Sequence, residues 1–257
     1  MVEEKIFHDI TSFYLENLPK QILDLFIPQV SVAVTKEALP SFAAQLDVPG
    51  AVRTRESNQA MAEVFTRLRS VVESHEYSFV RLGSKSPKDV EALYGTLKVS
   101  TAKDALLMFA VSKRIRADVN WNFLYGYPPV FFVRPWMDLS PWREFRCFIR
   151  NRELEGISQY FCRNRAEFPE IAHEARSIAK AVTRFIREKV IPMAEHDTFA
   201  CDVYYTTAAP LIVDYNPLTG RTGLCFFDAS LPPPERPEVR FRHNGGIVAL
   251  PLPQENP

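Results

Sequence analysis

The sequence predicts an α+β chain of two lobes, and three observations carry that reading. Up to about residue 128 the apolar residues recur mainly at helical spacing, with only short strand candidates between them. From Pro129 onward, short β-rich runs dominate and one long helical pattern interrupts them. A length of 257 residues at 46% hydrophobic suits one globular unit or two small lobes.

In chain order, Glu4 to Phe26 carries Ile6, Ile10, Phe13, Tyr14, Ile22, Leu23 and Phe26 at helical spacing, and Pro19 divides it into two short amphipathic helices. They read as a lid or a packing element. Val30 to Val34 is a β-branched strand, and Leu39 to Glu56, holding Pro40 and Pro49, is expected to be irregular. After Ser57 the series Met61, Val64, Phe65, Leu68, Val71, Val72 predicts a helix covering a sheet. Tyr77 to Leu82 is a strand that stops at Gly83-Ser84-Lys85-Ser86-Pro87 and leads into a helix, and Thr101 to Arg116 is expected to be one further helix. Beyond Pro129 come strands at Val130 to Val133, Glu144 to Ile149, Glu155 to Phe161, Phe199 to Tyr205 and Leu211 to Tyr215, with a helix from about Phe168 to Val190. From Pro232 the prolines predict an extended tail or strap. The expected division is 1–128, 129–231 and a Pro-rich tail 232–257.

Composition excludes several classes. The 31 basic and 31 acidic residues balance, so no general electrostatic pull toward nucleic acid or anionic membrane is expected. No apolar run approaches the ~18 residues that cross a bilayer, and Met1-Val2-Glu3-Glu4-Lys5 does not read as a signal peptide, which makes the cytosol the expected address. Cys147, Cys162, Cys201 and Cys225 form no C-x-x-C pair and the histidines show no metal-ligand spacing. Three of these cysteines sit in apolar stretches and read as small hydrophobes.

Three constellations could carry chemistry. Asp202 closes one expected strand and Asp214-Tyr215-Asn216 closes the next; if the strands pair, Asp202, Asp214 and Asn216 bring oxygen donors suited to magnesium to one rim. The alternative is that both acids simply end strands into turns. Arg81-Leu82-Gly83-Ser84-Lys85-Ser86-Pro87-Lys88-Asp89 runs from a strand through a Gly/Ser loop to a helix N-terminus, where free N–H groups beside Arg81 and Lys85 could hold phosphate oxygens. It is neither a Walker A loop nor a G-x-G-x-x-G turn, and taken in isolation it reads more readily as a Ser N-cap followed by Pro at the first turn with solvated basic residues. Arg134-Pro135-Trp136 closes an apolar strand, while Glu144, Arg146 and Phe148 share one face of another. A carboxylate there can accept from ribose hydroxyls and a guanidinium can fork onto phosphate, or the two form a cross-strand ion pair.

Together these pieces resemble the cell division cycle 123 family, of the ATP-grasp superfold. The matching text is Arg81-Leu-x-x-x-Ser86-Pro87-Lys88-Asp89, Val133-Arg134-Pro135-Trp136, Glu144-Phe145-Arg146-Cys147-Phe148, Gly156-Ile157-Ser158-Gln159, Asp202-Val203-Tyr204 and Asp214-Tyr215-Asn216-Pro217, over about residues 77 to 228. The resemblance implies an ATP-grasp-like α+β fold with ATP held between two lobes. It implies Arg81, Gly83, Lys85 and Ser86 at the phosphates, Arg134, Pro135 and Trp136 at the adenine edge, Glu144 at the ribose and Arg146 neutralising phosphate. Asp202, Asp214 and Asn216 would hold one or two magnesium ions. The family's eukaryotic role, chaperoning assembly of translation initiation factor 2 through its gamma subunit, implies such a protein partner, with the Pro-rich tail and Phe241 as a loose counterpart of the tail involved. The other reading of the same site is a carboxylate-amine ligase working through an acyl phosphate, for which Arg221 is a candidate gamma-phosphate residue. Positioning and charge stabilisation suffice for such chemistry without a Ser or Cys nucleophile.

Overall fold

A computed structural model describes residues 2–163, 166–220, 222–228 and 235–253. The chain divides into two compact units: residues 1–17 with 28–137, and residues 18–27 with 138–257.

The first unit contains α1 (Val2–Thr11), while α2 (Lys20–Leu23) already belongs to the second. Its sheet has three antiparallel strands, β1 (Val30–Ala33), β2 (Ser78–Leu82) and β3 (Val130–Pro135), with β3 in the middle. Val80, Leu82, Phe131 and Val133 sit on the face that meets α3 (Leu39–Gln45) and α4 (Arg55–Val72) in one hydrophobic core. The segment expected to be irregular therefore contains a helix, because Pro40 lies in its first turn, where a missing N–H costs nothing. Thr54 and Ser57 form a capping box at the start of α4, which brings Met61, Val64, Leu68 and Val72 to the sheet.

After β2 comes a 3-10 turn at Lys88–Val90 and the four-residue α5 (Glu91–Tyr94), closed by Gly95 in the left-handed region. This helix is shorter than expected. The region read as one helix is two, α6 (Ala102–Val111) and α7 (Lys113–Leu124). Ser112 breaks the run in an extended conformation, and its hydroxyl accepts from Ile115 N–H at 3.1 Å while donating to Asp89 at 2.6 Å. A serine inside an apolar period is an N-cap here, and the period continues straight across it.

The second unit is built on a six-stranded sheet of order β7-β6-β4-β5-β8-β9: β4 (Glu144–Arg150), β5 (Glu153–Gln159), β6 (Phe199–Tyr204), β7 (Leu211–Pro217), β8 (Glu238–His243) and β9 (Gly246–Pro251). All pairs are antiparallel except β5 with β8. The long helix α8 (Pro169–Phe185) continues as a π-helical turn, Ile186–Val190, and its Ile171, Ala175, Ile178 and Val182 are buried. Cys147 and Cys201 face each other across β4 and β6, fully buried, and burial raises both thiols well above their ordinary range.

The expectation of an extended tail is corrected from Glu238 onward. Val239 and Phe241 alternate with Glu238, Arg240 and Arg242, so one side of the strand buries and the other is polar. Asn244 and Gly245, both at positive φ, turn the chain into β9. Phe241 is buried in this strand and offers no surface anchor.

In β5, Gly156 supplies space: a Cβ there would overlap the outer end of the Phe227 ring. Gly156→Ala is therefore expected to destabilise the protein by about 1–3 kcal/mol through overpacking. In a Phe227→Ala background most of that loss should vanish, and a double-mutant cycle of urea midpoints showing full additivity would remove the contact from the account.

Candidate functional site

In the first unit the register decides which side chains share a face. Arg81 lies opposite Phe132, and Phe79 opposite Arg134, so Phe79, Arg81, Phe132 and Arg134 occupy the face of β2 and β3 turned away from Val80 and Val133. Arg134 lies over the Phe79 ring, 4.5 Å from its centroid. Arg81 is buried at 5% exposure, with Nε donating to the Leu82 carbonyl at 3.0 Å. Two guanidiniums on one sheet face match the positive, forked donors that phosphate takes.

The loop after β2 is a tight turn in which Leu82 N–H donates to Lys85 O at 2.8 Å and Gly83 N–H to Val130 O at 2.9 Å. Ser86 is buried. The Lys85 ammonium is held at 3.0 Å by Asp118 of α7, although its side chain remains 43% exposed. Pro135 is exposed, and Trp136 packs against the core of the first unit, with Lys98 over its ring at 5.3 Å. With the chain after Pro87 forming only a 3-10 turn and a four-residue helix, little helix dipole reaches the loop, and its polarity comes from backbone N–H groups, Arg81 and Lys85.

In the second unit Asp202 and Asp214 are directly opposite on β6 and β7, and Asn216, two residues on, shares the face of Asp214. Asp202 is not at a strand end as the sequence suggested: it lies within β6 and is fully buried. Its burial is compensated by Arg146 on β4, directly across, whose Nε and Nη2 donate to the two carboxylate oxygens at 2.6 and 2.7 Å. Burial disfavours the guanidinium charge, but hydrogen bonding and attraction from Asp202 outweigh it and keep Arg146 ionised. Arg146 also lies over the Tyr160 ring, 5.0 Å from its centroid. Glu144 is buried on the same face of β4, opposite Tyr204.

The register extends this polar row further than the sequence reading did. Arg146 lies opposite Ser158 on β5, and Ser158 opposite Arg240 on β8, so five adjacent strands present Asp214, Asp202, Arg146, Ser158 and Arg240. The segment 222–227 lies along the row: Arg146 donates to Gly223 O at 2.8 Å, Arg240 to Phe226 O at 2.9 Å, and Phe226 N–H to the Ser158 hydroxyl at 3.2 Å. Cys225 in this segment is at positive φ, and burial pushes its thiol up to about 12. Arg240 could have been found from the alternation in 238–242, had the prolines before it not suggested an extended strap. Arg221 lies outside the described residues.

The donor set fits magnesium. Asp202, Asp214 and Asn216 bring side-chain oxygens of the kind magnesium takes, with both Asp202 oxygens accepting from Arg146. Among the described residues no group of three His, Cys, Asp or Glu side chains gathers as a metal cluster, so the remaining ligands would have to be water and a bound phosphate.

Breaking the central pair has a clear expected cost. Arg146→Ala leaves a buried, uncompensated carboxylate and should destabilise the protein by about 3–5 kcal/mol. Arg146→Met with Asp202→Leu should recover much of that stability, and calorimetric melting in which the single variant melts like the parent would contradict the assignment.

The D123 family model matches residues 47–231. The translation initiation factor eIF2 assembly protein of Xenopus laevis is 30% identical over 151 residues, covering 54% of this chain and 44% of that protein. Cell division cycle protein 123 of Eremothecium gossypii is 24% identical over 176 residues, covering 64% of this chain and 49% of that protein. The chain thus spans about half the length of the curated relatives it matches. The structure of Cdc123 from Schizosaccharomyces pombe superposes with a TM-score of 0.66 at 18% identity, covering 85% of this chain and 88% of that one, which establishes a shared fold. Among the described residues no helix is long and apolar enough to cross a membrane. With more than half of its length matched by one family model, and with a fold common to it and a solved Cdc123, the chain belongs to the D123 family.

Proposed function

We propose that this chain binds ATP with magnesium and serves as an assembly chaperone for a protein partner, the gamma subunit of translation initiation factor 2. The observation that carries the nucleotide reading is the pair of adjacent acids on β6 and β7, with Asn216 beside them, in a strand interior where acids are intrinsically disfavoured. The name of the Xenopus relative, an eIF2 assembly protein, supports eIF2 as the factor concerned, and the gamma subunit follows from the family resemblance.

In this reading Arg81 binds phosphate oxygens from one face of the small sheet, Arg134 stands with Pro135 at the adenine edge, and the N–H groups and Lys85 of the turn after Leu82 add donors. Magnesium, held by Asp202, Asp214 and Asn216, supplies neutralisation of phosphate charge. Arg146 has a different role from the one implied by the family resemblance. Its two forked donors are committed to Asp202, so it orients that carboxylate and acts on the nucleotide through it. Glu144 remains the proposed acceptor for ribose hydroxyls. Trp136, lodged against the core, supports the strand end at Arg134 and Pro135 and offers an edge to adenine. An assembly chaperone needs ATP to stabilise one conformation, so binding without turnover is its signature.

Asp214→Ala is expected to fold normally and to lose at least tenfold in magnesium-dependent ATP affinity by titration calorimetry, while affinity measured without magnesium changes little. Equal affinities with magnesium would sink the metal assignment. ADP release that depends on an added carboxylate and amine would replace the chaperone with a ligase.

A further inference from the structure

The 3-10 turn Leu15–Asn17 lies against the loop that ends β2. Leu15 N–H donates to Gly83 O at 3.2 Å, and the Glu16 carboxylate fills the volume a Cβ on Gly83 would take. Gly83 is thus required for space, and the turn 82–85 is held by β3 on one side and by Glu16 on the other. Around Glu16, the Tyr127 hydroxyl donates to Oε1 at 3.2 Å and accepts from the Asn17 amide at 2.8 Å. The other oxygen, Oε2, is buried without a hydrogen-bond partner.

The charges facing this carboxyl come from every element packed on it. Asp118 of α7, 4% exposed, repels it, and Arg81 of β2 attracts it. Lys85 is taken up by Asp118 at 3.0 Å. Tyr14 and Tyr127 are phenols that burial keeps neutral. Two carboxyl groups therefore share an interior region in which one is matched by an ammonium and the other is not directly ion-paired.

We propose that Glu16 is a positioning residue: as a neutral acid it seats the N-terminal segment against Gly83 and fixes the turn after Arg81 that carries Ser84 and Lys85, which links the geometry of that turn to pH. The consequence for ATP affinity rests on the nucleotide reading above; the consequence for the turn does not. Burial pushes the Glu16 carboxyl up to about 7, above its value in the unfolded chain. The stabilisation is therefore complete below the ordinary carboxylate range of about 4.3 and is lost as pH rises through about 7. Ionisation would leave a buried charge with one oxygen unsatisfied, which the seated arrangement does not tolerate.

Glu16→Gln keeps the shape and stays neutral. Amide hydrogen exchange over 82–86, corrected for intrinsic rates, should show protection falling about tenfold between pH 6 and pH 8 in the unchanged protein, as a midpoint of about 7 dictates, and no such fall in the Gln variant. A pH-independent turn in the unchanged protein, or the same pH dependence in both, overturns the proposal. Should the variant fail to fold, carboxyl NMR of the unchanged protein decides: a Glu16 midpoint near 7 supports the proposal and one near 4.5 overturns it. Titration with ATP and magnesium at both pH values reads the linked affinity, the nucleotide's own protonation cancelling in the ratio of the two proteins. If neither protein binds ATP, the nucleotide reading fails while exchange and NMR still decide the role of Glu16.

Discussion

The second unit is organised around one buried ion pair. Asp202 has no exposure, and its two oxygens meet the fork of Arg146 across β6 and β4. A single carboxylate could not remain ionised there, because the desolvation cost of a lone charge is prohibitive. With the guanidinium opposite, the acid can remain charged at the centre of a sheet. The pair also fixes the strand register, since slipping either strand by one residue would turn one partner to the opposite face. The neighbours then follow: Asp214 lands beside Asp202, and Ser158 beside Arg146, with Arg240 one strand further on. The same guanidinium reaches the Gly223 carbonyl, so the segment 222–227 is anchored to the pair as well.

Much of this was legible in the sequence, for identifiable reasons. The long amphipathic helices and the apolar strands announced themselves by periodicity, and Glu144, Arg146 and Phe148 could be assigned to one face from their spacing alone. What could not be read was which residue stands opposite which. The alternatives for Arg146, phosphate ligand or ion-pair partner, differ only in whether Asp202 lies across from it, and pairing between strands more than fifty positions apart has no local signature. Local chemistry misled in three places. Proline at 40 and serine at 112 acted as helix starts, and prolines before Glu238 masked an alternating strand whose Asn244-Gly245 turn was present in the text.

The two sheets handle charge differently. On the three-stranded sheet, Arg81 and Arg134 are placed by alternation on the face that also carries Phe79 and Phe132, an apolar setting that strengthens electrostatic attraction. On the six-stranded sheet the two acids stand on the adjacent strands β7 and β6 and the guanidiniums on β4 and β8, with Ser158 between them, and the Asp202–Arg146 pair cancels part of that field internally.

The parallel pairing of β5 with β8 shapes how the molecule reaches its native state. Residues far apart in the chain must meet before β8 and β9 can join the sheet, whereas β4–β5 and β6–β7 pair partners close in sequence. Until then β5 presents an open edge, with backbone N–H and C=O groups available to any other strand. The hairpin of β8 and β9 thus covers the edge that β5 would otherwise present.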